Sequence, residues 1–212
     1  MSLYSGKTCS DIKSHSSQAV SAFYVIDVDG EGGYEPFTVY CDMTDKNEVG
    51  VTVVSHDSEA RTLVNGYEGK GTYVRHVHYI SSGLTGIEQL AGLADASAHC
   101  EQFIKYECLH NSILRNGNKY GWWMSRIHEE MNYWGGATPD DDYKCACGLT
   151  NSCANPSYGC NCDINDYVWR EDSGFLTEKS DLPVLTLQFG DTGSSSEKGY
   201  HTLGKFKCYG NV

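Results

Sequence analysis

A glycine-rich acidic segment, residues 27–35, has the residue types and spacing expected of a metal-binding loop. Its candidate ligands are the side chains of Asp27, Asp29 and Glu35 and the carbonyls of Gly30 and Gly32. Calcium takes about six to eight oxygen ligands and accepts a flexible loop, so this spacing favours calcium over magnesium. Asp-Gly is also common in hairpin turns, and the alternative interpretation is an acidic turn without an ion.

A second acidic cluster, Asp140-Asp141-Asp142, comes shortly before Cys145. Asp140 and Asp142, with the Tyr143 carbonyl, are its candidate calcium ligands. Adjacent carboxylates repel one another and cannot all point toward one ion, so a solvated acidic turn is an equally good interpretation. We therefore place this site second to the 27–35 loop.

The densest aromatic stretch of the chain contains Trp122, Trp123, Tyr133, Trp134 and Tyr143. Aromatic rings that line a cleft beside a cation would suit capture of a sugar or an acetyl group. For that role the candidate pocket residues are Trp123, Tyr133, Trp134 and Tyr143. Large aromatic side chains are more often part of a core, and we favour core packing here.

Ten cysteines in 212 residues predict a disulfide framework, which persists in an oxidising compartment outside the cytosol. The cysteines are Cys9, Cys41, Cys100, Cys108, Cys145, Cys147, Cys153, Cys160, Cys162 and Cys208. A zinc cluster is the alternative, but the spacing lacks the regular repeat of structural zinc modules. Cys9 and Cys41 are predicted to pair, because the β-rich runs between them turn back at residues 27–36. For the others, a local Cys100–Cys108 bond is slightly favoured because a short loop closes at little entropic cost.

Motifs of catalysis are not found in the sequence. We find no Gly-x-Ser-x-Gly elbow, no His-Glu-x-x-His pair and no nucleotide-binding glycine loop. Two histidines, His76 and His78, alternate as on a strand, but two alone seldom form a metal site. Oxidised cysteines cannot act as thiol nucleophiles, so we expect a protein that is not an enzyme.

The formal net charge of −12 excludes a general attraction for nucleic acid or anionic lipid. No apolar run approaches the length needed to span a membrane, and the N-terminus lacks the apolar region of a signal peptide. We therefore expect no direct membrane insertion, and we interpret residues 1–8 as a tag or linker remnant.

The elements expected to position these residues define an α+β fold. The runs 22–26 and 37–40 predict a hairpin, and 51–54 and 182–189 predict further strands. Helical spacing of apolar residues between 84 and 108 predicts an amphipathic helix. From Gly121 to about residue 165, Gly, Asn, Asp and Cys predict irregular structure held by cross-links rather than by a deep core.

Several motifs resemble fibrinogen-like domains. The match runs from Cys9-Ser10-Asp11-Ile12 and Pro36-Phe37-Thr38-Val39-Tyr40-Cys41 to Tyr133-Trp134-Gly135-Gly136, Lys144-Cys145-Ala146-Cys147-Gly148 and Cys160-Asn161-Cys162-Asp163. It is closest to the fibrinogen-like segment of contactin-associated (neurexin-type) adhesion proteins, with a weaker similarity to fibrillar-collagen C-propeptides. We expect one domain over residues 9–212, in which the residue patterns predict an N-terminal disulfide unit (9–45), a mixed sheet-and-helix central part (46–120) and a loop-rich C-terminal lobe (121–212).

The collagen resemblance has two further implications. It places a calcium loop at 27–35 before Cys41, and it would join Cys108 to Cys160 or Cys162. Together, residues and resemblance predict an extracellular, calcium-binding recognition module for cell adhesion or protein–protein interaction, with a protein or glycan ligand at the cell surface. The alternative is a fibrinogen-related lectin of innate immunity that binds acetylated glycans, which would need an open aromatic cleft.

Overall fold

Antiparallel β-pairing builds most of the fold, and the computed structural model describes residues 6–212. The helices and helical turns are α1 (Cys9–His15), α2 (Asp45–Glu48), α3 (Ile87–Asp95) and α4 (Ala146–Leu149). The strands are β1 (Ala22–Ile26), β2 (Phe37–Asp42), β3 (Val51–His56), β4 (Thr62–Val64), β5 (Tyr73–His76), β6 (Tyr79–Ile80), β7 (Ser97–Leu109), β8 (Trp122–Met124), β9 (Arg170–Leu176), β10 (Thr186–Phe189) and β11 (Lys198–Asn211).

Two sheets result. In the eight-stranded sheet the main path runs β1-β2-β3-β11-β7-β9, with β4 paired to β11 and β6 paired to β3. A three-stranded sheet has the order β5-β10-β8. This mixed architecture, dominated by sheet, agrees with the predicted α+β class. The main path takes strands from all three parts expected from the sequence, so these parts share one sheet.

The N-terminal hairpin forms as predicted. Strands β1 and β2 pair from Ala22 opposite Cys41 to Ile26 opposite Phe37, and Cys41 is disulfide-bonded to Cys9 at the start of α1. The hydroxyl of Thr8 caps this helix by accepting a hydrogen bond of 3.0 Å from the N–H of Asp11. Thr8 is therefore part of the folded unit, whereas residues 1–5 of the expected remnant lie outside the described residues.

The predicted helix over 84–108 is wrong in its second half. Helix α3 ends at Asp95, and residues 97–109 form the long strand β7. Leu90, Leu93 and Ala94 are buried at helical spacing, as expected of an amphipathic helix. From Ser97 onward, β7 pairs with β11 on one side and β9 on the other. The main-chain hydrogen bonds of these two ladders stabilise a strand here, although the local spacing of apolar residues also fits a helix.

The stretch after Gly121 also differs from the prediction, because it contains part of the deep core. Trp123 and Trp134 have no exposed surface, and Tyr133 retains 1%. Trp123 Nε1 donates to the carbonyl of Tyr133 at 2.9 Å, and Trp134 Nε1 donates to the carbonyl of Asp172 at 3.0 Å. Loops of this region are therefore held by buried aromatic packing as well as by cross-links.

The last predicted strand is shorter than expected. Strand β10 begins at Thr186 rather than Leu182, since Pro183 has no N–H to donate to a ladder. Its Phe189 ring stacks on Tyr106 of β7, with centroids 4.3 Å apart. The small sheet thereby covers the inner face of the main sheet.

The opposite, outer face of the main sheet is not covered by the small sheet. Strand alternation and register place on it the side chains of Phe23, Tyr40, Phe103, Glu107, Phe175, Tyr200 and Lys207. Phe23 is 73% exposed and Phe175 47%, so large apolar groups reach solvent there.

Candidate recognition surface

The 27–35 loop does not gather its carboxylates around one point in this structure. Asp27 Oδ1 accepts a hydrogen bond of 2.9 Å from the N–H of Gly30, and the Asp29 carboxylate accepts from the N–H of Tyr34. Among residues 6–212, no group of three acidic side chains on this loop has ligand atoms close enough to share a metal. The residues fit an acidic turn closed by its own main chain, and calcium binding here stays a prediction.

The acidic cluster at 140–142 has local hydrogen bonds instead of a shared centre. The Asp141 carboxylate accepts from the N–H and the hydroxyl of Thr138, and Asp142 accepts from the side-chain amide of Asn132. Asp140 and Asp142 are exposed. This geometry favours the solvated-turn interpretation, and calcium binding at this cluster also stays a prediction.

The four candidate pocket aromatics do not line an open cleft. Trp123, Tyr133 and Trp134 belong to the core, and only Tyr143 is partly exposed. The Tyr133 hydroxyl donates to Asp181 Oδ2 at 2.8 Å inside the lobe. Core packing, the favoured interpretation, therefore describes these residues.

All ten cysteines form disulfides, so the zinc alternative does not apply. The bonds are Cys9–Cys41, Cys100–Cys208, Cys108–Cys162, Cys145–Cys160 and Cys147–Cys153. The favoured Cys100–Cys108 pair is wrong. These residues lie eight positions apart along the extended strand β7, too far for one bridge, and Cys208 of β11 stands directly opposite Cys100. Cys108 pairs with Cys162, one of the two partners that the collagen resemblance implied.

Two buried carboxylates, Asp163 and Asp172, organise the loop between Cys160 and β9. Asp163 Oδ1 accepts from the N–H groups of Ile113 and Leu114 at 3.1 and 2.9 Å. Asp172 accepts from the N–H groups of Asn161 and Cys162 at 2.9 and 2.8 Å. Burial raises the pKa of Asp163 to about 7 and that of Asp172 to about 6. Both are structural, because they hold loop N–H groups in the interior.

One cluster of side chains lies on the outer face of the main sheet, where β4, β11, β7 and β9 are neighbours. We call it the Trp169 surface and define it by Arg61, Glu107, Trp169, Tyr200 and the neighbouring Tyr167. Arg61 forms two hydrogen bonds to the Glu107 carboxylate, at 2.7 and 3.1 Å. The Arg61 guanidinium carbon lies 3.3 Å from the Tyr200 ring centroid. Planar stacking and a bidentate contact therefore fix Arg61 from two directions.

Trp169 extends this platform. Its ring centroid is 5.7 Å from that of Tyr200, and 48% of the residue is exposed. Tyr167 stacks on His110 at 4.0 Å and is 72% exposed. These aromatic groups are held by contacts on one side and open to solvent on the other, as in the anchor residues of protein interfaces.

The charged side chains on and around this surface form ion pairs with one another. Glu107 accepts from Arg61, which lowers the pKa of that carboxyl below its ordinary value. Lys105 Nζ lies 2.8 Å from Glu171, and Arg170 makes two hydrogen bonds to Asp166 at 2.9 and 2.7 Å. A cleft of about 510 Å³ lies between the cluster and this rim. Paired charges around exposed aromatics reduce the desolvation cost of covering the surface with a partner.

Sequence reasoning missed this surface. Arg61, Glu107, Trp169 and Tyr200 are far apart in the chain and meet only through the β4–β11–β7–β9 register. The one local signal is the run Tyr167-Val168-Trp169, three large residues that follow the polar pair Asn165-Asp166. Pattern alone cannot distinguish such a run from a short buried strand.

This chain is a disulfide-stabilised sheet domain with an exposed platform of aromatic residues and arginine, and comparisons with known proteins relate it to cell adhesion proteins. Contactin-associated protein 1 of Rattus norvegicus is 37% identical over 217 residues, covering 98% of the chain and 15% of that protein. The human protein of the same name is 36% identical. Neurexin-4 of Drosophila melanogaster is 38% identical over 194 residues, covering 88% of the chain and 15% of that protein. No family model matches the chain.

The chain is therefore homologous to one segment of neurexin-type cell adhesion proteins, and it spans about 15% of the length of the curated relatives it matches. Together with the five disulfides, this homology shows an extracellular localisation. None of the helices within residues 6–212 has the length and apolar composition of a membrane span.

Proposed function

We propose that this chain is a non-enzymatic extracellular module that binds a protein ligand in cell adhesion through the Trp169 surface. The observation that carries the proposal is the exposed Trp169 beside the Arg61–Tyr200 stack. Trp, Tyr and Arg are the residue types that contribute most binding energy at protein interfaces. The homology to adhesion proteins supports the same class of function.

We also propose that the fold is fibrinogen-like. The Cys9–Cys41 bond brackets the first hairpin and the Cys145–Cys160 bond closes a C-terminal loop, which matches the layout on which the resemblance rests. The first ligand to test is a contactin, because the name of the relative describes it as associated with contactin. Among residues 6–212 we find neither a set of carboxylates that converges on one point nor an open aromatic cleft. We therefore treat calcium binding and glycan binding only as possible outcomes of the tests.

The test is binding of the labelled 212-residue chain to cells that display a contactin ectodomain, compared with untransfected cells. We expect saturable binding that trypsin treatment of the cells abolishes and glycosidase treatment leaves intact. Trp169→Ala should weaken it by at least about tenfold, the typical effect of removing one interface anchor. Binding to neither cell type overturns the proposal, and binding lost after glycosidase treatment supports the lectin alternative instead.

Phe175→Ala is the matched control. Phe175 is an aromatic residue of the same outer face, exposed by 47% against 48% for Trp169, but it lies at the other end of β9 and packs on Phe103. It should retain full binding. Equal losses for the two variants would mean that aromatic exposure in general, and not the Trp169 surface, governs binding.

A further inference from the structure

Strand β1 is one edge of the main sheet path and, as far as residues 6–212 show, lacks the usual protection of an edge strand. Residues 16–26 contain no charged side chain and no proline, in a chain whose net charge is −12. Phe23 is 73% exposed and Val25 is 50% exposed, both on the outer face. Natural edge strands are normally blunted by charge, proline or a covering segment, so this one is unusual.

The main chain of β1 can be oriented from its neighbours. Thr38 of β2 stands opposite Val25, and its N–H donates to the carbonyl of Ser82 at 2.7 Å. Ser82 follows β6, which pairs with β3, so this bond points away from β1. Val25 and Thr38 are therefore a non-hydrogen-bonded pair, and Val25 directs its own N–H and C=O to the free edge.

Phe23, two residues earlier, has the same orientation as Val25 because main-chain direction alternates along a strand. Asp27, two residues later, has it too, and its N–H donates to the carbonyl of Gly6 at 3.2 Å. Within residues 6–212, Gly6 is the main-chain partner on this edge, and it covers only the end beyond Ile26. The N–H and C=O groups of Phe23 and Val25 have no main-chain partner in the described part of the chain.

The opposite edge of the same path shows how the fold covers an edge. The N–H of Gly136 donates to the carbonyl of Phe175 in β9 at 2.9 Å. The main chains of Gly135 and Gly174 approach so closely that a Cβ on Gly174 would lie 2.6 Å from the carbonyl carbon of Gly135. A covering loop and the charged residues of β9 thus block this edge, whereas β1 has no charged residue and no covering loop from residues 6–212.

We propose that β1 is a self-association edge, on which β1 of a second copy pairs antiparallel about a two-fold axis at Tyr24. In this register Phe23 stands opposite Val25 of the second copy, and the two residues exchange both main-chain hydrogen bonds. Symmetry repeats the exchange at Val25. The same pairing buries the exposed Phe23 and Val25 side chains against each other on the outer face.

The charge distribution supports a second copy as the occupant. Two chains of net charge −12 repel, yet the eleven residues 16–26 bring no charge to the contact. Remaining repulsion comes from more distant groups and is screened over about 8 Å at physiological ionic strength. Added salt should therefore strengthen the association. Each copy has one β1 edge, so the assembly closes as a dimer.

The test is sedimentation equilibrium of the 212-residue chain over about a hundredfold range of concentration, at low and high sodium chloride. We expect a monomer–dimer equilibrium that shifts toward dimer in high salt. Phe23→Lys should weaken dimerisation by at least about tenfold, because it places a cation on an apolar edge. Phe175→Lys, the matched change at the covered edge, should leave the equilibrium unchanged.

Val25→Pro gives a sharper test. It removes an N–H that points to the free edge, while the β1–β2 ladder uses other groups and should survive, which the melting temperature and circular dichroism check. Loss of the dimer with the fold retained supports the proposal. A monomer at all concentrations, open-ended oligomers, or a dimer insensitive to both β1 variants overturns it.

Loss of cell binding by Phe23→Lys in a monomeric chain would also overturn it, in favour of a different protein on this edge. A dimer that survives Trp169→Ala keeps this result separate from the proposed function.

Discussion

The Arg61 guanidinium carbon lies 3.3 Å from the centre of the Tyr200 ring, while two of its nitrogens bond the carboxylate of Glu107. A single side chain thereby joins strands β11 and β7 across the outer face. The arrangement needs a planar cation with a fixed fork of donors, which arginine has and lysine lacks.

Arg61→Lys should therefore weaken binding to contactin-displaying cells by about tenfold. We expect no measurable change in the urea midpoint, because the ion pair is exposed to solvent. Arg75→Lys is the control, since Arg75 also pairs with a carboxylate, Asp57, but lies on the other sheet. Unchanged binding of the Arg61 variant would show that Arg61 does not position the surface.

The five disulfides should differ in their contribution to stability according to the loop each one closes. Cys100–Cys208 spans 108 positions and Cys147–Cys153 spans six. In the chain-entropy model their removal costs about 5 and about 2 kcal/mol. Urea unfolding of the two double alanine variants measures the difference. Equal losses, or a larger loss for the short loop, would contradict the prediction.

Asp163 should make the protein less stable as pH rises toward neutrality. Its pKa is raised from 3.8 to about 7 in the fold, so the folded chain retains a proton that the unfolded chain releases. The stabilisation is complete below about pH 4 and is lost as pH rises through about 7. At about 1.4 kcal/mol per pKa unit, it amounts to at most about 4 kcal/mol.

Asp163→Asn tests this prediction. The amide oxygen can still accept from Ile113 and Leu114, but the side chain no longer titrates. We expect the free energy of unfolding of the variant to fall less than that of the wild type between pH 4 and 7. Asp140→Asn, which replaces an exposed carboxylate, should keep the wild-type slope. A slope that Asp163→Asn leaves unchanged would refute the assignment.

Calcium dependence separates the two interpretations of the acidic loops. If Asp27 and Asp29 serve only as acceptors for loop N–H groups, the melting temperature will be the same in calcium and in chelator. Asp29→Ala should lower it equally in both buffers, because the N–H of Tyr34 loses its acceptor. A calcium-dependent rise that this variant abolishes would place an ion at 27–35. A rise abolished by Asp142→Ala would place it at 140–142.

Local features of this fold were predictable from sequence, and features created by pairing of distant strands were not. The β1–β2 hairpin follows from two alternating runs and the turn between them. Phe103 and Ile104 fit helical spacing as well as they fit a strand, and the choice depends on β11, almost a hundred residues later. Strand β11 itself has glycines at 199, 204 and 210, and its alternation is interrupted by a register shift between Leu203 and Phe206, which weakens its local signal.

The Trp169 surface was unpredictable for the same reason. Arg61, Glu107, Trp169 and Tyr200 come from β4, β7, β9 and β11 or their flanks, and only the register brings them together. The predicted Cys100–Cys108 bond is wrong because a low cost of loop closure matters only when the chain between the two cysteines can bend back. Both residues instead lie on one extended strand, β7. In contrast, burial preference alone was enough to interpret Trp123 and Trp134 as core.

Strand β11, the last in sequence, occupies the middle of the main sheet between β3 and β7. During synthesis, β1, β2 and β3 emerge early, yet they cannot join β7 and β9 until residues 198–211 have left the ribosome. For all that time Cys100 has no native partner, because Cys208 is still untranslated. The native disulfide set of this domain can therefore form only after residues 198–211 have been made, and until then eight other cysteines can form a non-native bond with Cys100.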